Sequence, residues 1–299
     1  MHAADPTLTP PAPVPPPPAA KDSPLSLGTR QQVQQLLDAP GQPALRQLER
    51  AQRQLNRWRQ QLLVNTHRQH HGDTVWGGPL AGLRYTQAAE GATLPRCLGC
   101  YEAELHPTLR TLPLVGYQTV IDIGCAEGYY AVGLARLLPH ATVLAHDINP
   151  AARRACTHLA ELNGVSDRVR VGGEVRGEDF ATLTQGRTLV FCDIEGAEES
   201  LLNPQAWPAL QAVDLIVEVH ECFRPGLADR LQTRFAPSHD ITWLWPDLQA
   251  PRTLPPWTRT LSHMDQLLCT WEWRAGPTPW AVMRSRQGGD EGVGQGIEP

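Results

Sequence analysis

Acidic side chains recur in this chain where short apolar runs give way to small or polar residues, and each such place could bind or react. The first is Thr119-Val-Ile-Asp-Ile-Gly-Cys-Ala-Glu-Gly-Tyr-Tyr-Ala-Val-Gly-Leu-Ala135. It reads as an apolar strand carrying Asp122, a turn bracketed by Gly124 and Gly128 with Ala126 between them, and an amphipathic helix. Small residues in such a turn admit a ligand to the backbone, and the helix start offers free N–H groups. The second is His146-Asp147-Ile-Asn149-Pro150. Asn149 followed by Pro150 is a natural helix cap, which leaves Asp147 free to accept hydrogen bonds from both hydroxyls of a diol. The third is Gly173-Glu174, where Glu174, or the later Glu178-Asp179, could face an amino group. The fourth is Asp193-Ile-Glu195-Gly-Ala-Glu198-Glu199, in which Asp193, Glu195 and Glu198 fall within six residues where an apolar strand turns into a helix. Some of these acids could serve only to complement the helix dipole, but Asp193 precedes the turn and should point into a cleft. The fifth is Glu218-Val219-His220-Glu221, where alternation puts Glu218 and His220 on one side. A histidine at a strand end suits proton removal from a hydroxyl near neutral pH.

The spacing of the first turn narrows the ligand. A dinucleotide turn needs G-x-G-x-x-G, but Ala126 stands at the second glycine and Tyr129 at the third. The pattern D-x-G-x-A-x-G is similar to that of doubly wound S-adenosylmethionine-dependent methyltransferases. That cofactor brings no phosphate; it brings an amino group, a sulfonium and a ribose diol, which favour carboxylates near the turn. Asp-Ile-Glu-Gly-Ala-Glu, about 70 residues further on, resembles the D-x-E-G-x-E motif of the FkbM-like methyltransferases, a branch of the class I superfamily. The resemblance covers residues 119–220, and the upstream stretches 78–83 and 98–105 are also similar to the leader of a bacterial branch of that family. It implies S-adenosyl-L-methionine as cofactor and methyl transfer to an oxygen of a small molecule or sugar. By position, Asp122, Gly124, Ala126 and Gly128 would line the cofactor, Asp147 its ribose and Glu174 its adenine. Asp193 and Glu195 would stand on the reacting side, with Asp193 or His220 taking the proton during in-line displacement. Two rivals belong to other classes: a catalytically inactive cofactor-binding scaffold, and a nicotinamide oxidoreductase, which the missing glycine pattern disfavours.

These residues need a sheet to position them. Strands and helices alternate from Thr119, the signature of a parallel sheet. Strands are predicted at 119–124, 142–147, 168–173, 188–193, 213–219 and 241–244, with final strands in 267–274 and 280–284. The fold class is α/β: a doubly wound, mostly parallel seven-stranded sheet of the class I methyltransferase, Rossmann-like kind, with a helical N-terminal appendage. The expected organisation is a proline-rich disordered tail at 1–26, helices and lead-in loops at 27–112, the methyltransferase domain at 113–286, and a second disordered tail at 287–299. The appendage reads as two helices broken at Pro40-Gly41. Leu45, Leu48, Leu55, Trp58 and Leu62 recur at helical spacing in the second, as if to dock on the main domain or a second subunit.

Composition excludes several classes. A net charge of −5 leaves no basic footprint for nucleic acid, and no apolar run approaches the roughly 20 residues that span a bilayer. The seven unevenly spaced cysteines suit reduced thiols in a cytoplasmic protein, and the N-terminus lacks the order of a signal peptide. Cys97-Leu-Gly-Cys100 has no second pair to complete a zinc site, and His67-Arg-Gln-His70-His71 reads as a polar helix end, so no metal is assigned. A divalent cation bridged by Asp193, Glu195 and acceptor hydroxyls stays open. The expected partners are a small-molecule or glycan acceptor, the latter in view of the tryptophan-rich C-terminal half, and a second copy through the N-terminal helices.

Overall fold

The computed structural model describes residues 22–86, 92–247 and 250–287. Most of the proline-rich tail and nearly all of the C-terminal tail expected to be disordered lie outside the described residues. The described end of the first already contributes to a helix: Ser23 caps α1 (Pro24–Leu37), its hydroxyl accepting from the Ser26 N–H at 3.1 Å.

The chain divides into two compact units, Met1–Trp58 and Arg59–Pro299. The first holds α1 and the opening half of α2 (Ala44–His71), joined through the expected break, where Gly41 has φ of 72°. Trp58 Nε1 donates to Ser26 Oγ at 3.2 Å and Gln54 donates to Gln32 at 2.6 Å, tying the two helices together. Along the apolar row of α2, Leu45, Leu48 and Leu55 are 68, 61 and 46% exposed, and Trp58 and Leu62 are half-buried.

The second unit carries a seven-stranded sheet: β1 (Thr119–Ile123), β2 (Thr142–His146), β3 (Val169–Gly172), β4 (Thr188–Cys192), β5 (Asp214–Glu218), β6 (His239–Leu244) and β7 (Trp280–Ser285). Its order is β3-β2-β1-β4-β5-β7-β6, parallel throughout except for β7, which is antiparallel to both neighbours. Helices α3 (Thr93–Leu98) and α4 (His106–Thr111) precede the sheet; α5 (Tyr129–Leu137), α6 (Pro150–Leu162), α7 (Phe180–Leu183), α8 (Glu198–Leu201), α9 (Leu227–Phe235) and α10 (His263–Cys269) follow its strands. Strands β1, β4 and β5 are buried along their whole length, as continuous apolar runs covered on both faces must be. Alternation then sends Val120, Val143, Phe191 and Trp280 to one apolar layer with α5 and α6, and Ile121, Val190, Leu215 and Val217 to another with α9.

One expected strand is absent. Within 267–274 the chain instead ends α10, because Ser262 caps that helix and Asp265 in its first turn is buried against Arg59 at 2.6 Å. The helix expected after β4 is only the four-residue α8. The chain leaves β1 toward β2 and β3 and returns beside β1 as β4, so the strand order reverses between β1 and β4. Such a switch point opens a crevice at the carboxyl ends of the strands.

Candidate active site

The site grows from the turn after β1. Gly124 and Gly128 have φ of 86° and 96°, the left-handed region where a side chain is strained. The protein's own packing also demands glycine there: a Cβ on Gly124 would lie 1.8 Å from the Asp193 carbonyl oxygen, and one on Gly128 would lie 2.8 Å from Cys156 Sγ. Those contacts and the positive φ each require glycine at both positions, and Gly124 also lines a cleft at the turn. Ala126, also at positive φ, is the exposed tip of the turn, and its N–H donates to Asp147 Oδ2 at 2.9 Å. Asp147 Oδ1 accepts from the Asn149 N–H at 2.7 Å, while Asn149 caps α6 as expected, accepting from Ala151 N–H at 2.9 Å. The Asp147 carboxylate thus pins the β1 turn to the β2 loop and remains half-exposed, with lone pairs to spare.

Asp122 is buried at 2% exposure, with Oδ2 lacking any hydrogen-bond partner among the described residues. Burial, with help from Asp147 and Glu127, pushes its pKa up to about 8. It lines a hollow of about 20 Å³ shared with Arg96, Glu127 and Asp193, not the main cleft.

Two larger clefts meet at the turn. The first, of about 590 Å³, is lined by Gly124, Ala126, Asp147, Glu174, Asp193 and Glu195 among others. Glu174 is exposed there and 3.6 Å from Arg176, whereas Glu178 and Asp179 do not line it. The second, of about 670 Å³, is lined by Arg96, Tyr101, Glu218, His220, Trp273 and Arg274, and it shares Ala126, Asp147, Asp193 and Glu195 with the first. Gly128 lines neither.

On the shared wall, Glu195 takes φ of 49° and is exposed, and Gly196 follows at 98°. Nothing lies closer than 3.8 Å to a Cβ placed on Gly196, so the backbone angle alone requires glycine there. Asp193 lies 3.6 Å from His220 Nε2, and Glu218 lies at 3.6 Å from the same nitrogen. Burial, then the adjoining Glu218 carboxyl, raises the Asp193 pKa well above the ordinary carboxylate range. His220 Nδ1 is 2.5 Å from Glu198 Oε1, and that carboxylate is wholly buried. Burial alone would lower the His220 pKa; the Glu198 hydrogen bond and the Glu218, Glu198 and Glu195 charges outweigh it, so the net shift is upward. The ring stacks on Phe223 at 5.7 Å, which with Glu198 fixes its orientation.

Sequence reasoning placed Asp193, Glu195 and His220 together, but took Glu198 for part of a helix start and missed the far wall. That wall comes from α3, the loop after it and the segment before β7. Arg96 pairs with Glu127 at 2.5 Å and lies 4.4 Å from the Tyr101 ring. Arg274 gathers Glu104 at 2.6 Å, Glu272 at 2.8 Å and Glu218 at 3.6 Å. Glu102, buried and bonded by the Tyr130 hydroxyl, has its pKa pushed to about 8 by burial and Glu218 against the pull of Arg274. The 98–105 stretch, singled out in the sequence, was the one signal for this wall. Cys97 and Cys100 are buried, their thiols each pushed up to about 12 mainly by burial, and His67 Nε2 is spent on the Thr74 carbonyl at 3.0 Å. No described helix is long and apolar enough to cross a membrane.

No protein-family model matches the chain. Among curated proteins, the ribosomal protein L11 methyltransferase of Alkalilimnicola ehrlichii is 33% identical over 165 residues, 52% of this chain and 52% of the relative. That of Escherichia coli (strain 55989 / EAEC) is 32% identical over 121 residues, 38% of this chain and 40% of the relative. The chain therefore spans about half the length, or less, of these relatives. Among solved structures, cofactor-bound Rv0187 from MTB is 18% identical with a TM-score of 0.40, covering 58% of this chain and 77% of that one. The O-methyltransferase TomG from Streptomyces achromogenes is 14% identical with a TM-score of 0.40, covering 60% and 80%. With a parallel sheet that reverses at β1, a single antiparallel strand between β5 and β6, and a D-x-G-x-A-x-G turn at the switch point, the chain has the class I S-adenosylmethionine-dependent methyltransferase fold.

Proposed function

We propose that this protein transfers a methyl group from S-adenosylmethionine to an acceptor bound beside it. The observation that carries the reading is the pair of clefts meeting at Ala126, Asp147, Asp193 and Glu195. One suits the cofactor, the other the acceptor, and the shared wall holds the acids. The residues fit the cofactor's groups: Asp147 and Glu174 in the 590 Å³ cleft suit the ribose diol and the adenine side, and Asp122 acts on the amino-group side from the small hollow behind the turn, whose Gly124 and Ala126 also line that cleft. Arg96, whose Nε has no hydrogen-bond partner among the described residues, lines the acceptor cleft and the hollow beside Asp122 and suits an anionic group there. When bound, the sulfonium supplies an electrophilic methyl group. The chain's part is to align the acceptor in line with it and to take the acceptor's proton on Asp193 or His220.

A hydroxyl of a small molecule or sugar is the acceptor we favour, on the resemblance of Asp193-Ile-Glu-Gly-Ala-Glu198 to the FkbM-like motif and on Trp273 in the acceptor cleft. A protein amine is the second reading. The partial relatives carry the name of ribosomal protein L11, and the acceptor cleft holds Glu127, Asp147, Asp193, Glu195, Glu218 and Glu272 against Arg96 and Arg274, which suits a cation. The exposed row Leu45, Leu48 and Leu55 supports self-association through the N-terminal helices, which sedimentation would read.

Calorimetric titration with S-adenosylmethionine, S-adenosylhomocysteine and a nicotinamide dinucleotide tests the cofactor. Transfer of a labelled methyl group to panels of hydroxylated small molecules, sugars and basic proteins then sorts the acceptors. Binding of the dinucleotide alone would overturn the reading, and binding of S-adenosylmethionine with no transfer to any panel would favour a scaffold.

A further inference from the structure

The acceptor cleft contains a feature that methyl transfer alone does not require. Asp193, Glu218 and His220 each present a ligand atom, and these atoms lie within 4.8 Å of one another. The carboxylates of Asp193 and Glu218 each stand 3.6 Å from His220 Nε2, too long for a hydrogen bond but close to the separation of neighbouring donors around a small cation. Glu218 and His220 are more than nine-tenths buried, so water screens this concentration of negative charge poorly. Arg96 lines the same cleft but pairs with Glu127, and Arg274 meets Glu218 only at 3.6 Å and is committed to Glu104, Glu272 and the Thr278 carbonyl.

An independent feature aims the cluster. The fully buried Glu198 carboxylate holds His220 Nδ1 at 2.5 Å, leaving Nε2 toward the cluster. A carboxylate behind a histidine, fixing its tautomer and raising its donor strength, is how protein metal sites orient their ligands. Glu198 is itself fixed by the Gly196 N–H at 3.0 Å.

We propose that Asp193, Glu218 and His220 form a binding site for a divalent first-row transition-metal cation such as Mn2+. One imidazole with two carboxylates suits such a cation better than Ca2+, which seeks six to eight oxygens. Three protein ligands leave coordination positions open toward the acceptor cleft, where hydroxyl oxygens of the acceptor can bind. This deepens the methyl-transfer reading and rests on it for its role: the cation lowers the pKa of a bound hydroxyl. With Asp193 and His220 taken up by the cation and Asp147 by the ribose, the hydroxyl proton passes to Glu195, the third carboxylate common to both clefts, in place of Asp193 or His220. The oxygen–methyl bond then forms as the sulfur–methyl bond breaks, the bonding pair staying on sulfur.

The test uses the full chain without cofactor or acceptor. Loss of the free Mn2+ electron paramagnetic resonance signal should report one bound ion per chain. Asp193→Asn and His220→Asn should each weaken it at least tenfold, and Glu198→Gln, which removes the orienting charge and touches no ion, should weaken it by about 10- to 100-fold. Glu161→Gln, an exposed acid outside both clefts, should leave it unchanged. Asp193 has a side chain 30% exposed and Asn keeps its shape, so its variant remains informative if the buried ones do not fold. Absence of stoichiometric Mn2+ binding, or binding that Asp193→Asn leaves intact, overturns the site. S-adenosylmethionine calorimetry on the same protein separates the claims: cofactor binding without Mn2+ sinks the metal site alone, and Mn2+ binding without cofactor binding sinks the metal's role with the methyl-transfer reading.

Discussion

Asp147→Ala is the sharpest test of where the cofactor lies. The parent carboxylate accepts two backbone N–H groups, Ala126 at 2.9 Å and Asn149 at 2.7 Å, and both lie on loops that line the 590 Å³ cleft. Two separate losses are expected. The fold should lose roughly 1–2 kcal/mol, because both N–H groups are part-exposed and recover water, so each bond counts near the middle of the 0.5–1.5 kcal/mol range. Cofactor binding should lose a further roughly 1.5–3 kcal/mol, the cost of a charge-assisted acceptor for the ribose hydroxyls, which is about a 10- to 150-fold rise in Kd. Urea denaturation followed by circular dichroism reads the first and calorimetry with S-adenosylhomocysteine the second. Glu161→Gln, exposed, outside both clefts and 4.0 Å from His158, should move stability by less than about 0.5 kcal/mol and leave cofactor affinity unchanged, and serves as the control. A variant that loses stability as expected yet binds the cofactor like the parent would refute the placement, leaving Asp147 as a loop clamp.

Asp193→Asn keeps shape while removing charge and basicity; methyl transfer should fall by roughly a hundredfold or more with cofactor affinity little changed, and near-parental turnover would remove Asp193 from the chemistry. Asp122 carries a pH signature. Its folded pKa, about 8, lies above its ordinary 3.8, so its contribution is fully present below that lower value and is lost as pH rises toward 8. The urea midpoint of Asp122→Asn should therefore fall less between pH 5 and pH 8 than the parent's, and parallel curves would locate the ionisation elsewhere. Gly196→Ala should cost about 1–2 kcal/mol for backbone strain alone, since its φ is 98° and the space around it is open. Gly124→Ala adds a Cβ 1.8 Å from the Asp193 carbonyl oxygen and should cost more, or prevent folding; equal losses in denaturant titrations would contradict the packing argument.

Local signals set much of this protein. The continuous apolar runs of β1, β4 and β5, the Asn149-Pro150 cap and the D-x-G-x-A-x-G turn are short-range features, and they were legible as elements and as an order of elements. The acids at the ends of β1, β2 and β4 were legible for the same reason, because alternation along a strand and the switch-point rule locate a strand end without knowledge of what lies opposite. What lies opposite is not local. Arg274 is 170 residues from its partner Glu104, and Asp265 is 206 from Arg59, so neither ion pair has a period or spacing to betray it. The Leu267–Arg274 stretch has apolar and aromatic residues enough for a strand, yet α10, capped by Ser262 and held by the buried Asp265, takes its first residues to Cys269, and the irregular chain beyond leaves Arg274 among carboxylates. Leu45, Leu48 and Leu55 show the reverse: their period marks a helix, but a period does not say what covers the face. Glu198 makes the distinction at one residue. In sequence it is one more acid in a first helical turn; only folding brings it behind His220, because β4 and β5 are neighbours in the sheet and their carboxyl ends share one cleft.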